Sequence, residues 1–108
     1  MGTYPTRTEY RDKLEVKAQV LQILDNAGAE GLIASTVGRF ANMAHARTLL
    51  CFDELKAREL IEIVRINKST VYRINDKGKT ALAKYKEVRS MLILRTEGLK
   101  PSILDNED

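Results

Sequence analysis

The sequence is poor in the residues on which most catalytic and metal sites depend. Its 108 residues include one Cys, one His and no Trp. The single Cys, Cys51, excludes a disulfide within the chain, and Cys51 with His45 falls short of the ligand count of a usual zinc site. The chain shows no nucleophile with a base and an orienting residue. Asp53 and Glu54 disfavour a thiolate at Cys51. We therefore expect no enzyme, no metal site within one chain, no cofactor and no redox switch.

Long apolar runs and phosphate-binding loops are missing as well. No stretch approaches the ~20 apolar residues of a membrane helix. The N-terminal sequence MGTYPTRTEYRDK has no apolar segment of the kind found in secretory signals. The glycines do not have the spacing of a phosphate-binding loop. We expect no membrane partner and a location in a reducing cytoplasm, with which the single Cys agrees.

Charge is unevenly distributed along the chain. The net charge is +3 and the sequence pI is about 9.1. Residues 97–108 carry four acids against Lys100, so they contribute −3 and leave +6 on residues 1–96. A mildly basic body suits a polyanionic partner. We interpret residues 97–108 as an acidic flexible tail and residues 1–9, which are polar and aperiodic, as a disordered arm.

Three helices are predicted in the first half of the chain. The first begins near Tyr10 and ends at NAGAEG, the second runs from about Ile33 to Ala41, and the third from about Ala44 to Arg58. Asn42 permits a tight turn between the second helix and the third. Their expected core residues are Leu14, Ala18, Val20, Leu21, Ile23, Leu24, Val37, Phe40, Leu49, Phe52 and Leu55.

The period of the pattern then changes. LIEIVRI at 60–66 and TVYRI at 70–74 are rich in β-branched residues and are separated by Asn67, Lys68 and Ser69, which predicts a hairpin with a loop of about three residues. A last helix from about Lys77 to Arg95 follows, capped by Asn75 or Asp76. The predicted fold is mainly α with a small β-hairpin, in the order α-α-α-β-β-α of a winged helix-turn-helix. Residues 10–75 form this domain and 76–96 its C-terminal helix.

Motifs in this order resemble the archaeal winged helix-turn-helix regulator family that includes small dimeric chromatin-like DNA-binding proteins. The similarity covers about residues 11–95. The matching residues are Phe40, Ala41, Asn42 and Met43 at the turn, Phe52, Leu55, Leu60 and Ile61 in the third helix and first strand, and Tyr72, Ile74, Lys77, Gly78, Leu82 and Tyr85 at the hairpin exit. The chain departs from the family in having Ala44 at a capping Ser or Thr, Thr48 at a Leu, Glu59 at a Gly and Asn75 at a Thr.

The resemblance implies a DNA-binding regulator or an architectural DNA protein that pairs through its last helix. A winged helix on DNA places the start of its third helix in the major groove, and its second helix and hairpin on the backbone. Ser35 and Thr36 are equally explained as helix caps, and basic hairpin residues also serve to block edge pairing. The candidate DNA contacts are Ser35, Thr36, Arg39, His45, Arg47, Thr48, Arg65, Lys68 and Arg73.

The last helix carries more apolar surface than a small domain can cover, and a two-fold partner would cover it. The candidate dimer residues are Tyr85, Val88, Met91, Leu92 and Leu94. The competing hypothesis is a winged helix used for protein contact, which predicts an apolar face on the third helix and a neutral hairpin. The basic hairpin favours double-stranded DNA and a nucleoid-associated location, and Tyr72 is expected to pack between hairpin and helix.

Overall fold

A computed structural model describes the backbone of residues 13–99 and the side chains of residues 13–92. The predicted arm, residues 1–9, lies outside the described residues, as does the predicted tail after Leu99. The elements are α1 (Lys13–Ala27), a 3-10 turn (Gly28–Glu30), α2 (Ala34–Ala41), α3 (His45–Ala57), β1 (Ile61–Ile66), β2 (Ser69–Ile74) and α4 (Asp76–Leu99). The predicted order α-α-α-β-β-α is confirmed. The last helix is longer than predicted and includes residues 97–99.

One hydrophobic core joins the first three helices to the hairpin. Phe52 and Leu55 of α3 are buried against Leu24 of α1 and Val37 of α2. The ring of Phe52 stacks on that of Tyr72 in β2, with centroids 3.8 Å apart and planes 6° from parallel. Burying these large side chains stabilises the fold by about 1.5–3 kcal/mol each. The expectation that Tyr72 packs between hairpin and helix is confirmed.

Three residues expected in the core are exposed. Leu14 is 57% exposed, Phe40 is 64% exposed, and Leu49 also reaches the surface. In α2, a helix of two turns, the inward face consists of Val37, Gly38 and Ala41. The small residues are inside because α2 and α3 approach closely, so the large ring of Phe40 is excluded.

The close approach occurs at Gly38. A Cβ added to Gly38 would lie 3.0 Å from Oγ1 of Thr48 in α3 and 3.2 Å from the carbonyl oxygen of Met43. Thr48 is completely buried there. Any larger residue at Gly38 would therefore push α3 away from α2.

Both α2 and α3 end in the same hydrogen-bonded turn. After α3, the N–H of Glu59 donates to Lys56 O (2.9 Å) and the N–H of Leu60 donates to Leu55 O (3.0 Å). This pattern requires a left-handed residue, usually Gly. Glu59 takes that conformation, with φ 62°, and Asn42 does so after α2, with φ 57°. Asn tolerates this region well, whereas Glu does so at a cost.

The hairpin pairs Ile61 with Ile74 and Ile66 with Ser69. Its loop has two residues, Asn67 and Lys68, and not the three predicted. Both have positive φ (50° and 72°), as in the turns that match the right-handed twist of a hairpin. We call this hairpin, residues 61–74, the wing.

Asn75 connects the end of the wing to α4. Its Oδ1 accepts a hydrogen bond from the N–H of Gly78 at 2.7 Å, so Asn75 is the cap of α4. Its Nδ2 donates to the carbonyl oxygen of Glu59 at 2.8 Å. Gly78 is required because a Cβ there would collide with the carbonyl oxygen of Leu60. None of the helices between residues 13 and 99 is long and apolar enough to cross a membrane.

Glu59→Gly is expected to stabilise the protein. At positive φ the Cβ of an L-residue clashes with the backbone at a cost of about 1–2 kcal/mol, and glycine avoids this clash. Part of the gain in stability is lost because glycine also makes the unfolded chain more flexible. The ion pair between Glu59 and Lys77 is long (3.9 Å) and exposed, so its loss matters little. We expect Glu59→Gly to be about 1 kcal/mol more stable than Glu59→Ala in urea denaturation. Equal stability of the two variants would show that the φ at this position carries no strain.

Candidate nucleic-acid interface

The turn between α2 and α3 brings three predicted contact residues together. Ser35 and Arg39 of α2 and His45 at the start of α3 line one open cleft, together with Asn42 and Ala44. All three side chains are exposed. The left-handed Asn42 folds the chain back so that the start of α3 lies beside α2. Thr36, which was predicted with them, is half-buried and does not line the cleft.

The N-terminus of α3 opens into the same cleft. Ala44 precedes the helix in an extended conformation, and its side chain makes no capping hydrogen bond. The first amide of α3 bonded within the helix is that of Thr48, which donates to Ala44 O at 2.9 Å. The amides before it form the positive end of the helix dipole, which attracts anions such as phosphate.

Thr48 is not part of this surface, and its predicted contact with DNA is wrong. It is 0% exposed, and its hydroxyl donates to the carbonyl oxygen of Ala44 at 3.0 Å. The inward face of α3 consists of Thr48, Cys51, Phe52 and Leu55. Thr48 shares this inward face and points toward Gly38. The two helices are so close there that a Leu in place of Thr48 would not fit.

His45 and Arg47 lie on different flanks of α3. Both are exposed, but at ~100° per residue they are separated by ~200° around the helix axis. Only His45 lines the cleft with Arg39. A ligand that contacted both side chains would have to surround the exposed start of the helix, as the walls of a groove do.

The outward face of α3 is largely apolar, which the sequence analysis missed. Ala46, Leu50, Asp53 and Ala57 are all exposed and follow one line along the helix, opposite the core. Leu50 is 58% exposed, and Leu49 stands beside this line. The spacing was present in the sequence, but Leu49 was assigned to the core and Leu50 to neither face. This face meets one criterion of the protein-contact hypothesis, whereas the basic wing does not meet the other.

The wing carries two accessible basic residues. Arg65 is exposed and donates through Nη1 to the hydroxyl of Thr70 at 3.3 Å, which holds it across the two strands. Lys68 occupies the tip of the turn. Both can reach a polyanion that lies along the wing.

Arg73 has a structural role. Its Nε pairs with Oε1 of Glu62 at 3.1 Å, and its Nη1 donates to the carbonyl oxygen of Ala29 at 3.1 Å. Glu62 lies directly across the hairpin from Arg73. We therefore leave Arg73 out of the candidate contacts, because its charge is already compensated.

Neighbouring acids are also paired. Lys17 of α1 donates to Glu54 of α3 at 3.0 Å, and this hydrogen bond holds the pKa of Glu54 below its usual value. Among the residues that the structure describes, Asp53 forms no ion pair. Asp53 is thus the one uncompensated negative charge on the described part of α3.

The thiol of Cys51 is buried and is not activated. Burial raises the pKa of the Cys51 thiol to about 11, with Glu54 also raising it and Lys17 opposing them. At neutral pH the thiol is protonated and unreactive. Among the described side chains, no three of His, Cys, Asp and Glu gather in a group that could hold a metal ion.

Three of the predicted dimer residues are exposed on α4. Tyr85 is half-buried, whereas Val88, Met91 and Leu92 are exposed. Val88 and Leu92 line a shallow groove with Ala81 and with Leu14 of α1. The side chain of Leu94 lies outside those described. Leu14 is therefore part of the same apolar surface and not part of the core.

No protein-family model and no curated protein matches this chain. Its structure is similar to that of the transcriptional regulator BldR from Sulfolobus solfataricus (TM-score 0.69, 16% identity, 83% of this chain and 65% of BldR). It is also similar to the YusO protein from Bacillus subtilis (TM-score 0.70, 17% identity, 79% of this chain and 61% of YusO). A third similar structure is Sso10a-2, a DNA-binding protein from Sulfolobus solfataricus (TM-score 0.61, 20% identity, 86% of this chain and 97% of Sso10a-2). At these identities the likeness shows a shared winged-helix fold, and the chain spans less than two thirds of BldR and of YusO.

Replacing Ala44 with Ser is expected to stabilise the start of α3. The extended backbone of Ala44 suits a capping hydroxyl, which would accept a hydrogen bond from one of the first amides. We expect Ala44→Ser to raise the free energy of unfolding by about 1 kcal/mol. Ala46→Ser, in the first turn but past the cap position, is the control and should be neutral or slightly destabilising. If both substitutions had the same effect in thermal and urea denaturation, α3 would not begin at His45.

Proposed function

We propose that this protein is a dimeric winged-helix protein that binds duplex DNA. The start of α3 enters the major groove, and α2 and the wing hold the phosphate backbone. The observation that carries the proposal is the cleft at the α2–α3 corner. There, Ser35, Arg39 and His45 surround the positive end of a helix that no side chain caps. Donors around a helix N-terminus suit phosphates and base edges.

The electrostatics of the surface support the same partner. Arg39, Arg47, Arg65 and Lys68 are exposed. Of the acids near them, Glu54 and Glu62 are paired within the protein. The four exposed bases outnumber the unpaired acid Asp53, and such an excess of positive charge favours a polyanion as the partner of these elements. BldR, a transcriptional regulator, and Sso10a-2, a DNA-binding protein, have the same fold.

The length and exposure of α4 support the proposed dimer. The helix has 24 residues and is ~36 Å long at 1.5 Å per residue. Every described side chain after Tyr85 is exposed. The radius of gyration, 16.9 Å, exceeds the ~13 Å of a compact domain of this size, because α4 extends away from it. A second copy packed on Val88 and Leu92 would cover the apolar surface and present two α3 helices to one duplex.

We propose that the protein is a transcriptional regulator. The alternative among the DNA hypotheses is an architectural protein of low sequence specificity. Either role places the protein on the nucleoid. A protein-contact module is the second candidate, and the exposure of Leu50 and Leu49 on α3 favours it. Binding to a duplex at low salt separates the DNA hypotheses from this one.

Duplex binding should depend steeply on salt. If a dimer neutralises about six to ten phosphates, its affinity for a random 30-bp duplex should fall ~10³- to 10⁵-fold between 50 and 200 mM salt. Lys68→Ala should reduce the slope of log K against log salt by about one per protomer, whereas Lys86→Ala on α4 should leave it unchanged. Fluorescence anisotropy measures both quantities. No binding at the lowest salt would refute the DNA hypotheses and favour the protein-contact one.

Val88→Glu is expected to separate the dimer. The substitution introduces a charge at the apolar seam, where the two copies of the change would face each other. Sedimentation should show twice 12.2 kDa for the unmodified chain and 12.2 kDa for the variant. Ser90→Glu adds the same charge ~200° away around the axis of α4 and should remain dimeric. A wild-type monomer at micromolar concentration would contradict the dimer proposal.

A further inference from the structure

The outward face of α3 has a composition that phosphate binding does not explain. Leu50 is 58% exposed, and Leu49 and Ala46 are exposed beside it. Other residues of the helix are buried against the core of the domain, namely Thr48, Cys51, Phe52 and Leu55. The three apolar side chains are therefore available to a ligand.

The surroundings of this patch identify the kind of ligand. Arg39 and His45 line the cleft at one end of α3, and Arg47, next to Ala46 in the chain, lies on the other flank of the helix. An apolar patch bordered by basic donors is complementary to a polyanion with apolar groups at its centre. A purely apolar partner would leave these cations without counter-charges.

Duplex DNA has this arrangement in its major groove. Phosphates border the groove, and the one apolar group on its floor is the C5-methyl of thymine, which apolar side chains contact. One helical turn from Ala46 to Leu50 advances ~6 Å, which is about two base-pair steps. A run of thymines would therefore present methyl groups at the spacing of these side chains.

We propose that Leu50, with Leu49 and Ala46, contacts thymine methyl groups, so the protein prefers duplexes with thymine runs at the bases facing α3. This inference rests on the proposed function and specifies its ligand. Asp53, the next outward residue after Leu50, disfavours phosphate at that point of the helix. Asp53 therefore favours a position in which this face of α3 lies over base edges and away from the phosphates.

The test removes the methyl groups and changes little else. The full chain is titrated with a thymine-rich duplex and with the same duplex carrying deoxyuridine at every thymine. Loss of a buried methyl should weaken binding about three- to fourfold per contact. Leu50→Ala should reduce the ratio between the two affinities, and the double variant with Leu49→Ala should reduce it further. Arg39→Ala, the control, should weaken both and preserve the ratio between them.

A second pair of duplexes adds the methyl group in another setting. A cytosine-rich duplex and its 5-methylcytosine counterpart differ by the same group at the same position, so the methylated duplex should bind more tightly to the unmodified protein. Equal affinities within both pairs would overturn the thymine inference while leaving DNA binding intact. Absence of binding to all four duplexes at low salt would overturn the proposed function itself.

Discussion

The stack of Phe52 on Tyr72 is the contact on which the candidate surface depends. Phe52 belongs to α3 and Tyr72 to the wing, and their rings lie 3.8 Å apart. The backbone of Tyr72 also exchanges two hydrogen bonds with Leu32, just before α2, at 2.9 and 2.8 Å. One residue thus connects the wing to α3 through its ring and to the approach of α2 through its main chain. The three elements that carry the candidate DNA contacts are therefore held in a fixed arrangement. A fixed arrangement allows all three to contact one rigid groove of a duplex at the same time.

Much of this arrangement could be predicted from the sequence, and the errors have physical causes. The switch from helical to alternating periodicity located the wing, and Tyr72 packs between the wing and a helix as expected. Phe40 was misplaced because hydrophobicity favours the largest side chain as the inward one, whereas close helix packing at Gly38 selects small residues. Thr48 was misplaced because its polarity suggests solvent, although its hydroxyl is satisfied by the helix itself. The pairing of Arg73 with Glu62 depends on the hairpin register, which the two-residue turn sets and for which no prediction was made from the sequence.

The structure separates two surfaces with different chemistry. At the α2–α3 corner, basic donors surround an uncapped helix start, and Glu54 and Glu62 are paired within the protein. On α4, the exposed residues Val88, Met91 and Leu92 form an apolar seam that extends away from the domain. We propose that the first surface binds the duplex and the second binds another copy. The apolar face of α3 begins at Ala46, between the exposed His45 and Arg47, and we propose a groove with methyl groups as its ligand.

Amide chemical-shift mapping tests the central claim most directly. Isotope-labelled protein is titrated with a short duplex at low salt, and each backbone amide reports its own environment. The account predicts the largest shifts between Ser35 and Leu50 and around Lys68, with small shifts in residues 80–92. Shifts concentrated on α4, or none anywhere at low salt, would contradict the assignment of the α2–α3 corner and the wing as the surface that binds DNA.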